Sequence, residues 1–236
     1  MKAKVGMVTI GQSPRRDVVP EMEAILGPGI EVLEAGALDG LSLQEVLGMA
    51  PGPGDYILVT LMRDGTPVKV SKRAILPRVQ ECIERLIGEG AELIALLCTG
   101  EFPKFESEKL ILKPDSLLNR VVQGVLPEGR LGVLVPSPDQ IDQMRRKWEE
   151  LGLEVVAESA MPYGPGGEIA SAAMRLATES VDLIALDCIG YTIAMKETVR
   201  RLTGKPTILP RSILARVIRE LVGEEPGPTA AGRSMG

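Results

Sequence analysis

The sequence predicts an α/β protein with two pseudo-symmetric lobes, each a parallel sheet flanked by helices, and a ligand cleft between them. Two observations predict this fold. Short apolar segments alternate with amphipathic ones along nearly the whole chain of 236 residues, which is typical of strands and helices in a parallel sheet. In addition, one strand-and-turn segment occurs twice, at an offset of 90 residues.

The first half of the chain alternates strands with helices. Strands are expected over residues 5–10, 30–35, 56–61 and 93–97, and helices over residues 17–26, 42–49, 71–89 and 115–126. Asp17 and Ser71 stand where a side chain caps the first turn of a helix. Residues 63–66, Arg-Asp-Gly-Thr, predict a hairpin turn after the third strand.

The second half repeats the same alternation. Strands are expected over residues 131–135, 154–158, 183–186 and 207–209, and helices over residues 139–151, 168–179, 192–202 and 212–222. Residues 161–167 form a Gly/Pro-rich loop, whose part Gly164–Gly167 is either a mobile lid or a long turn.

These elements divide the chain into three parts. Residues 1–112 are predicted to form the N-terminal lobe, which residues 206–223 complete. Residues 113–205 are predicted to form the C-terminal lobe, and residues 224–236, rich in Gly, Pro and small side chains, a flexible tail.

The repeated segment covers residues 91–100 and 181–190. Leu, Ile, Ala, Leu, Cys and Gly coincide in the two copies, and Arg85-Leu86 upstream of one copy matches Arg175-Leu176 upstream of the other. Any two buried strands share Leu, Ile and Ala, but that does not place a Cys and a Gly identically just beyond the strand. The match therefore predicts an internal duplication.

Composition excludes several classes of function. The chain has no histidine, so it has no Ser-His-Asp triad, Cys-His pair or imidazole metal ligand. A net charge of -5 and six aromatic side chains argue against nucleic acid as a partner. No segment has the length and apolar character of a membrane span or an export signal, and no Gly-rich nucleotide fingerprint is present. We expect a cytoplasmic protein with reduced thiols and no metal or other cofactor.

The duplicated cysteines, Cys98 and Cys188, are the candidate catalytic residues. Both follow a strand, at the sheet edge where α/β proteins bind ligands, and the backbone N–H groups there are expected to lower the thiol pKa. Two thiols on opposite sides of a cleft can remove a proton from one face of a carbon and deliver one to the other. The alternative is that both are small buried apolar residues. Cys82, in the middle of a helix, is expected to serve packing only.

Polar residues after other strands are candidate ligand contacts. Gln12, Ser13 and Arg15 follow the first strand, and Arg15 suits a carboxylate because guanidinium binds carboxylate through two parallel hydrogen bonds. Ser137 occupies the corresponding place in the second half. Asp187, beside Cys188, either orients the thiol or represses it by raising its pKa.

The duplicated strand–Cys units resemble the aspartate/glutamate/hydantoin racemase superfamily. Within it, residues 8–15, Val-Thr-Ile-Gly-Gln-Ser-Pro-Arg, and residues 187–190, Asp-Cys-Ile-Gly, resemble the AroM family. The resemblance implies a two-lobed racemase-like fold and paired cysteines acting as acid and base. It also implies an association with aromatic amino-acid (shikimate) metabolism.

Two functions are therefore expected. The first is a cofactor-independent racemase or isomerase of a small carboxylate-bearing acid, with decarboxylation of a malonate or cis–trans isomerisation as variants. The alternative is a non-catalytic protein that binds such a small molecule. In both, the candidate ligand contacts also include the residues beside the two cysteines, Thr99, Gly100, Gly190 and Tyr191. The sequence leaves a homodimer open.

Overall fold

The computed structural model describes residues 2–164 and 167–223. The first half contains six strands and four helices: β1 (Ala3–Thr9), α1 (Val19–Leu26), β2 (Ile30–Gly36), α2 (Leu43–Leu47), β3 (Ile57–Leu61), β4 (Pro67–Ser71), α3 (Lys72–Gly88), β5 (Leu93–Leu97), β6 (Leu110–Leu112) and α4 (Pro114–Val125). Strand β6 was missed in the sequence because it is three residues long and half exposed.

The second half, over residues 126–164 and 167–223, contains four strands and four helices: β7 (Arg130–Val135), α5 (Ile141–Glu149), β8 (Glu154–Ser159), α6 (Gly167–Ala177), β9 (Leu183–Leu186), α7 (Ile193–Thr203), β10 (Thr207–Ile208) and α8 (Pro210–Val222). A short 3-10 helix, Pro138–Gln140, precedes α5. The prediction of an α/β protein in two lobes is confirmed.

The two lobes have the same strand order. The first sheet runs β2-β1-β5-β6 and the second runs β8-β7-β9-β10, and all pairings within both are parallel. In each sheet the first strand of the lobe lies between the second strand and the strand that precedes a cysteine. The duplication seen in the sequence is therefore also present in the topology.

Packing inside the two lobes repeats as well. A Cβ atom at Gly6 of β1 would lie 2.7 Å from Ile94 Cδ1, and one at Gly132 of β7 would lie 3.2 Å from Ile184 Cγ1. Ile94 and Ile184 are 90 residues apart, as the repeat requires. Glycine at both positions lets a neighbouring isoleucine pack directly on the strand, and Gly6 and Gly132 thus mark equivalent points of the two lobes.

A second repeat links helices α4 and α8. Residues 114–121 and 210–217 share the pattern Pro-x-Ser-Leu/Ile-Leu-x-Arg-Val, at an offset of 96 residues. Both helices begin with their proline, where the missing N–H costs no hydrogen bond. This repeat was missed because its offset differs from that of the first.

The segment 206–223 is shared between the lobes. Strand β10 pairs with β9 in the second sheet. Helix α8 instead buries Leu214 and Ile218 in the apolar cluster that contains Val5 and Met7 of β1. Only the helix therefore completes the first lobe. The predicted tail, residues 224–236, lies outside the described residues.

Strands β3 and β4 form a separate antiparallel hairpin. The predicted turn at residues 63–66 is confirmed, but β3 does not join the parallel sheet. The hairpin contacts both lobes: Leu61 O accepts a hydrogen bond from Gln12 N, while Ile57 N donates one to Gln143 Oε1 of α5. It thus fixes the loop after β1 relative to the second lobe.

None of the helices in the described ranges has the length and apolar character needed to cross a membrane.

Candidate functional site

The two duplicated cysteines have equivalent surroundings. Cys98 follows β5 directly, and Cys188 follows β9 after one intervening residue. Each Sγ atom accepts a hydrogen bond from the backbone N–H of the glycine two residues later, Gly100 or Gly190, at 3.3 Å. Both side chains are buried, and neither forms a disulfide. The repeat therefore places two free thiols in matching backbone nests.

The glycine N–H groups of these nests lower the thiol pKa, as predicted, but burial outweighs them and the pKa of both thiols is raised. Burial raises the pKa of Cys98 from 9.0 to about 12, and the Gly100 N–H offsets only part of that increase. Burial also raises the pKa of Cys188, against the opposing effects of Gly190 N–H and Tyr163. A thiolate at Cys188 contributes to the raised pKa of Cys98, so the two thiols interact electrostatically.

Arg15 is buried at the centre of a hydrogen-bond network. Its Nε and Nη2 atoms bind the two carboxylate oxygens of Asp17 at 2.8 and 2.7 Å, and Nη1 donates to Thr9 Oγ1 at 2.8 Å. Helix α1 begins with Val18 at its N-cap, so Asp17 is not the cap that was predicted. The carboxylate that Arg15 holds here belongs to the protein itself.

Tyr163 is the residue of this site that sequence reasoning missed. Its phenol oxygen accepts a hydrogen bond from Arg15 Nη2 at 3.2 Å and lies 4.0 Å from Cys188 Sγ. A Cβ atom at Gly190 would come within 2.4 Å of the phenol oxygen. Tyr163 therefore covers Cys188. The available signal was a single aromatic residue in a Gly/Pro-rich loop beyond β8; residues 165 and 166 of the predicted lid lie outside the described residues.

Gln12 and Ser13 build the loop after β1. Gln12 Nε2 donates to the carbonyl oxygens of Leu38 and Leu41. The Ser13 N–H and hydroxyl donate to the two carboxylate oxygens of Asp39, at 2.8 and 2.6 Å. The structure thus places both residues near Arg15, but their polar groups bind the protein.

Thr99 and Tyr191, two further predicted ligand contacts, are both buried. Thr99 is buried between Cys98 and Gly100. Tyr191 is fully buried, and its hydroxyl donates to Ala160 O at 2.7 Å, so its polar group serves the fold of the second lobe.

Asp187, next to Cys188, belongs to a buried ion pair. One of its oxygens accepts hydrogen bonds from Lys147 Nζ and Trp148 Nε1, both at 2.9 Å. The Lys147 and Asp187 side chains are almost completely inaccessible to solvent. Because the ammonium balances the carboxylate, Asp187 anchors α5 to the end of β9.

The second repeat places opposite charges near the two thiols. Asp115 of α4 and Arg211 of α8 occupy equivalent positions, and both are buried. Burial raises the pKa of Asp115, and its charge in turn raises the pKa of Cys98. Arg211 donates through Nε and Nη2 to Ile189 O, beside Cys188. Arg211 is also paired with Glu21 at 2.8 Å, so the two halves of the site differ in the charged group that they hold at this equivalent position.

Ser137 lines a different cavity from the thiols. A pocket of about 770 Å³ lies beyond β7 and β8, and its lining includes Lys69, Ser137, Ser159, Glu168 and Arg175. Neither Cys98 nor Cys188 contributes to it. The geometry therefore does not support the prediction that Ser137 contacts the same ligand as Cys98 and Cys188.

Comparison with known proteins identifies the family. The model of the family described as AroM protein matches residues 5–222. The chain belongs to the AroM family. Residues 8–15 and 187–190, which carry the resemblance in the sequence, lie within the matched range. In this AroM family member they form the loop of Arg15 and the turn of Cys188. No curated protein matches the chain.

Solved structures show the fold of the AroM chain. Allantoin racemase from Klebsiella pneumoniae superposes with a TM-score of 0.59 at 14% identity, over 94% of this chain and 88% of the other. Nocardia farcinica maleate cis-trans isomerase gives 0.62 at 16% identity, over 92% and 91%. Glutamate racemase from Francisella tularensis gives 0.59 at 14%, over 93% and 81%. The AroM chain therefore has the racemase-like fold.

Proposed function

We propose that this protein is a cofactor-independent racemase or isomerase of a small carboxylate-bearing acid. Cys98 and Cys188 act as the acid–base pair. The observation that carries the proposal is the duplication of the thiol environment, in which each Sγ accepts a glycine N–H at 3.3 Å from the same turn geometry. Packing explains the two glycines, because a Cβ at Gly100 would lie 2.6 Å from Leu58 Cδ2 and one at Gly190 2.4 Å from the Tyr163 phenol oxygen, but it does not require a cysteine at both strand ends.

The reaction needs one thiolate and one thiol. The thiolate removes the proton from the carbon next to the substrate carboxylate and becomes a thiol, while the electron pair moves into the carboxylate as an enediolate. The opposite thiol then delivers its proton to the other face and becomes the thiolate. Protons and charge balance within the pair, and no redox step or cofactor enters.

Stabilising the enediolate requires positive charge and N–H donors. Arg15 is linked to Cys188 through Tyr163, and its charge lowers the pKa of both thiols. In the proposal, the substrate carboxylate takes the place of the Tyr163 phenol on Arg15. Thr99 and the N–H groups of Gly100 and Gly190 complete the anion site.

The closed structure explains why the resting thiols have raised pKa values. Both are desolvated, and Tyr163 covers Cys188. Entry of substrate must displace the tyrosine, and the same movement hydrates the thiols and lowers their pKa.

Three free cysteines agree with a reducing compartment, and we propose that the protein is cytoplasmic.

The test is exchange of the α-proton with solvent deuterium, followed by NMR across a panel of amino acids, hydroxy acids and substituted malonates. We expect exchange with at least one compound, lost in Cys98→Ser and in Cys188→Ser. Cys82→Ser is the matched control, because Cys82 lies in α3 among core residues and is expected to keep exchange.

The alternative function predicts a different pattern. A non-catalytic binder gives ligand-induced thermal stabilisation that persists in both cysteine variants, with no exchange in any of them. Exchange that continues undiminished in both variants excludes the two-thiol mechanism.

A further inference from the structure

The pocket beyond β7 and β8 has a counterpart in the first lobe, where a side chain of the protein takes up part of the equivalent space. The first-lobe counterpart is a smaller cavity at the end of β2 and along α3, lined by Gly36, Asp39, Arg78 and Arg85 among others. The second-lobe pocket lies at the end of β8 and along α6. Since β2 corresponds to β8 and α3 to α6, the two cavities occupy the same place in the duplicated fold.

In the first lobe a carboxylate of the protein occupies this place. Asp39 Oδ1 accepts the Ser13 N–H at 2.8 Å, and Oδ2 accepts the Ser13 hydroxyl at 2.6 Å and the Gly36 N–H at 2.9 Å. Two guanidinium groups face the same carboxylate, Arg63 at 3.4 Å and Arg85 at 3.9 Å. The first lobe thus contains a complete carboxylate site that its own chain fills.

The second lobe keeps the donors of that site. Ser137 precedes Pro138 two residues after the end of β7, and Ser13 precedes Pro14 four residues after the end of β1, so a Ser-Pro step follows both equivalent strands, with the second loop shorter by two residues. Strand pairing matches Thr9 with Gly36 in the first lobe and Val135 with Ser159 in the second. Gly36 and Ser159 are therefore equivalent.

The cations of the second-lobe pocket follow the same pattern. Arg175 is the repeat of Arg85, at the offset of 90 residues, and lines the pocket. Lys69 reaches it from the β3–β4 hairpin, which also supplies Arg63 to the first lobe. Arg175 is paired with Glu158 and Lys69 with Asp139, at partly exposed positions.

The second-lobe position equivalent to Asp39 carries no carboxylate. Pro162 stands three residues after Ser159, where Asp39 stands three residues after Gly36. Ser137 is 3% exposed and lines the pocket, and its hydroxyl makes no capping hydrogen bond to the 3-10 helix that follows it. Ala160 N donates to Val135 O, so the Ser159 N–H of this edge strand points away from β7. The Ser137 hydroxyl and the Ser159 N–H thus correspond to two of the three donors of Ser13 and Gly36 that Asp39 accepts in the first lobe.

We infer that this second-lobe pocket binds the carboxylate of a small molecule, which takes the place that Asp39 fills in the first lobe. Ser137 and the Ser159 N–H hold the carboxylate, with Arg175 and Lys69 at the rim. Glu168 also lines the pocket and accepts the Met161 N–H. Its negative charge suits an ammonium on the same ligand. The site is separate from the thiols, and its existence does not depend on their chemistry.

The test is titration of the ¹⁵N-labelled full chain with acetate, glycine and, as the uncharged control, acetamide, followed by amide NMR. We expect the Ser137 and Ser159 amides to shift with acetate and with glycine but not with acetamide. Tighter binding of glycine than of acetate assigns a role to Glu168, and equal binding assigns the site to simple carboxylates.

Three variants locate the site. Ser137→Ala is expected to weaken acetate binding by roughly tenfold, the effect of losing one hydrogen bond to a charged group. Pro162→Asp restores the carboxylate of the first lobe and is expected to abolish binding. Arg200→Ala, on the surface of α7, is the control and keeps the wild-type affinity.

The inference is overturned if Ser137→Ala binds acetate as the wild type does, or if acetamide produces the same shifts. It is also overturned if the shifts appear only at Gly100 and Gly190, which places the anion at the thiols. Failure of proton exchange leaves this result unaffected, because the titration does not measure catalysis.

Discussion

The Arg15 guanidinium and the Tyr163 phenol meet at 3.2 Å, and this contact joins the loop after β1 of the first lobe to the loop after β8 of the second. The phenol oxygen also lies 4.0 Å from Cys188 Sγ. One hydrogen bond therefore both connects the lobes and closes access to one of the two candidate catalytic thiols.

Removing the Tyr163 side chain is expected to expose Cys188. Tyr163→Ala should raise the rate of Cys188 alkylation by iodoacetamide by about tenfold, because solvent access and thiolate formation both control thiol reactivity. Tyr163→Phe keeps the ring but loses the hydrogen bond to Arg15, so an intermediate rate is expected. Peptide mapping by mass spectrometry measures the rate at each cysteine. Cys82 serves as the internal control, and an equal increase there indicates general loosening instead.

Gly190→Ala is expected to disturb the contacts of Tyr163 with Arg15 and Cys188, because Gly190 packs against the tyrosine ring. The added Cβ would lie 2.4 Å from the phenol oxygen, so the tyrosine must move or the protein loses about 1–3 kcal/mol of unfolding free energy to overpacking. Urea denaturation of Gly190→Ala, Tyr163→Ala and the double variant measures the coupling. We expect the double variant to lose less than the sum of the two single losses. Simple additivity argues against a clash with the tyrosine.

The raised pKa of Cys98 makes folding stability depend on alkaline pH. Its folded pKa is about 12 against an ordinary 9.0, so above pH 9 the unfolded chain ionises this thiol while the folded chain does not. The contribution is complete below pH 9 and is lost as the pH rises towards 12. Relative to Cys98→Ser, the wild type should lose about 1.4 kcal/mol per pH unit in this range. Urea denaturation between pH 8 and 10.5 checks this, and parallel profiles contradict it.

Lys147 and Asp187 are expected to contribute to the free energy of unfolding as a pair, so that removing one of them costs more than removing both charges. Lys147→Met leaves the Asp187 carboxylate buried without its counter-charge, which typically costs about 3–5 kcal/mol of unfolding free energy. Adding Asp187→Asn removes the charge and should recover more than half of that loss. Guanidinium denaturation measures both. Arg200→Ala, which breaks an exposed pair with Glu197, is the control and should cost less than about 1 kcal/mol.

Local patterns in the sequence were sufficient to predict most of the fold. Buried strands and their turns depend on neighbouring residues, so β1, β5, β7 and β9 and the positions of both cysteines after their strands could be recognised. The 90-residue repeat predicted the duplication, and the strand orders of the two sheets confirm it. Strand β6 was not recognised because it is short and half exposed, and the separation of the β3–β4 hairpin from the parallel sheet was not predicted because it depends on which strand lies beside β3.

The candidate site was harder to predict because its polar groups are satisfied over long distances. Asp39 binds Ser13 across 26 residues, and Tyr163 binds Arg15 across 148. A sequence shows which side chains can bind a carboxylate, but it does not show that the protein supplies one. The raised thiol pKa values have the same origin, since they depend on burial by residues from distant segments.

The matched positions of Asp115 and Arg211 have a consequence for the kinetics of any racemisation at this site. The two enantiomers have equal free energy in solution, so kcat/KM must be the same in both directions, however different the two thiols are. The unequal charges can only change kcat and KM together, by equal factors, for one enantiomer relative to the other. An enzyme of this kind holds one mirror-image substrate more tightly and turns it over more slowly, and still produces a racemate.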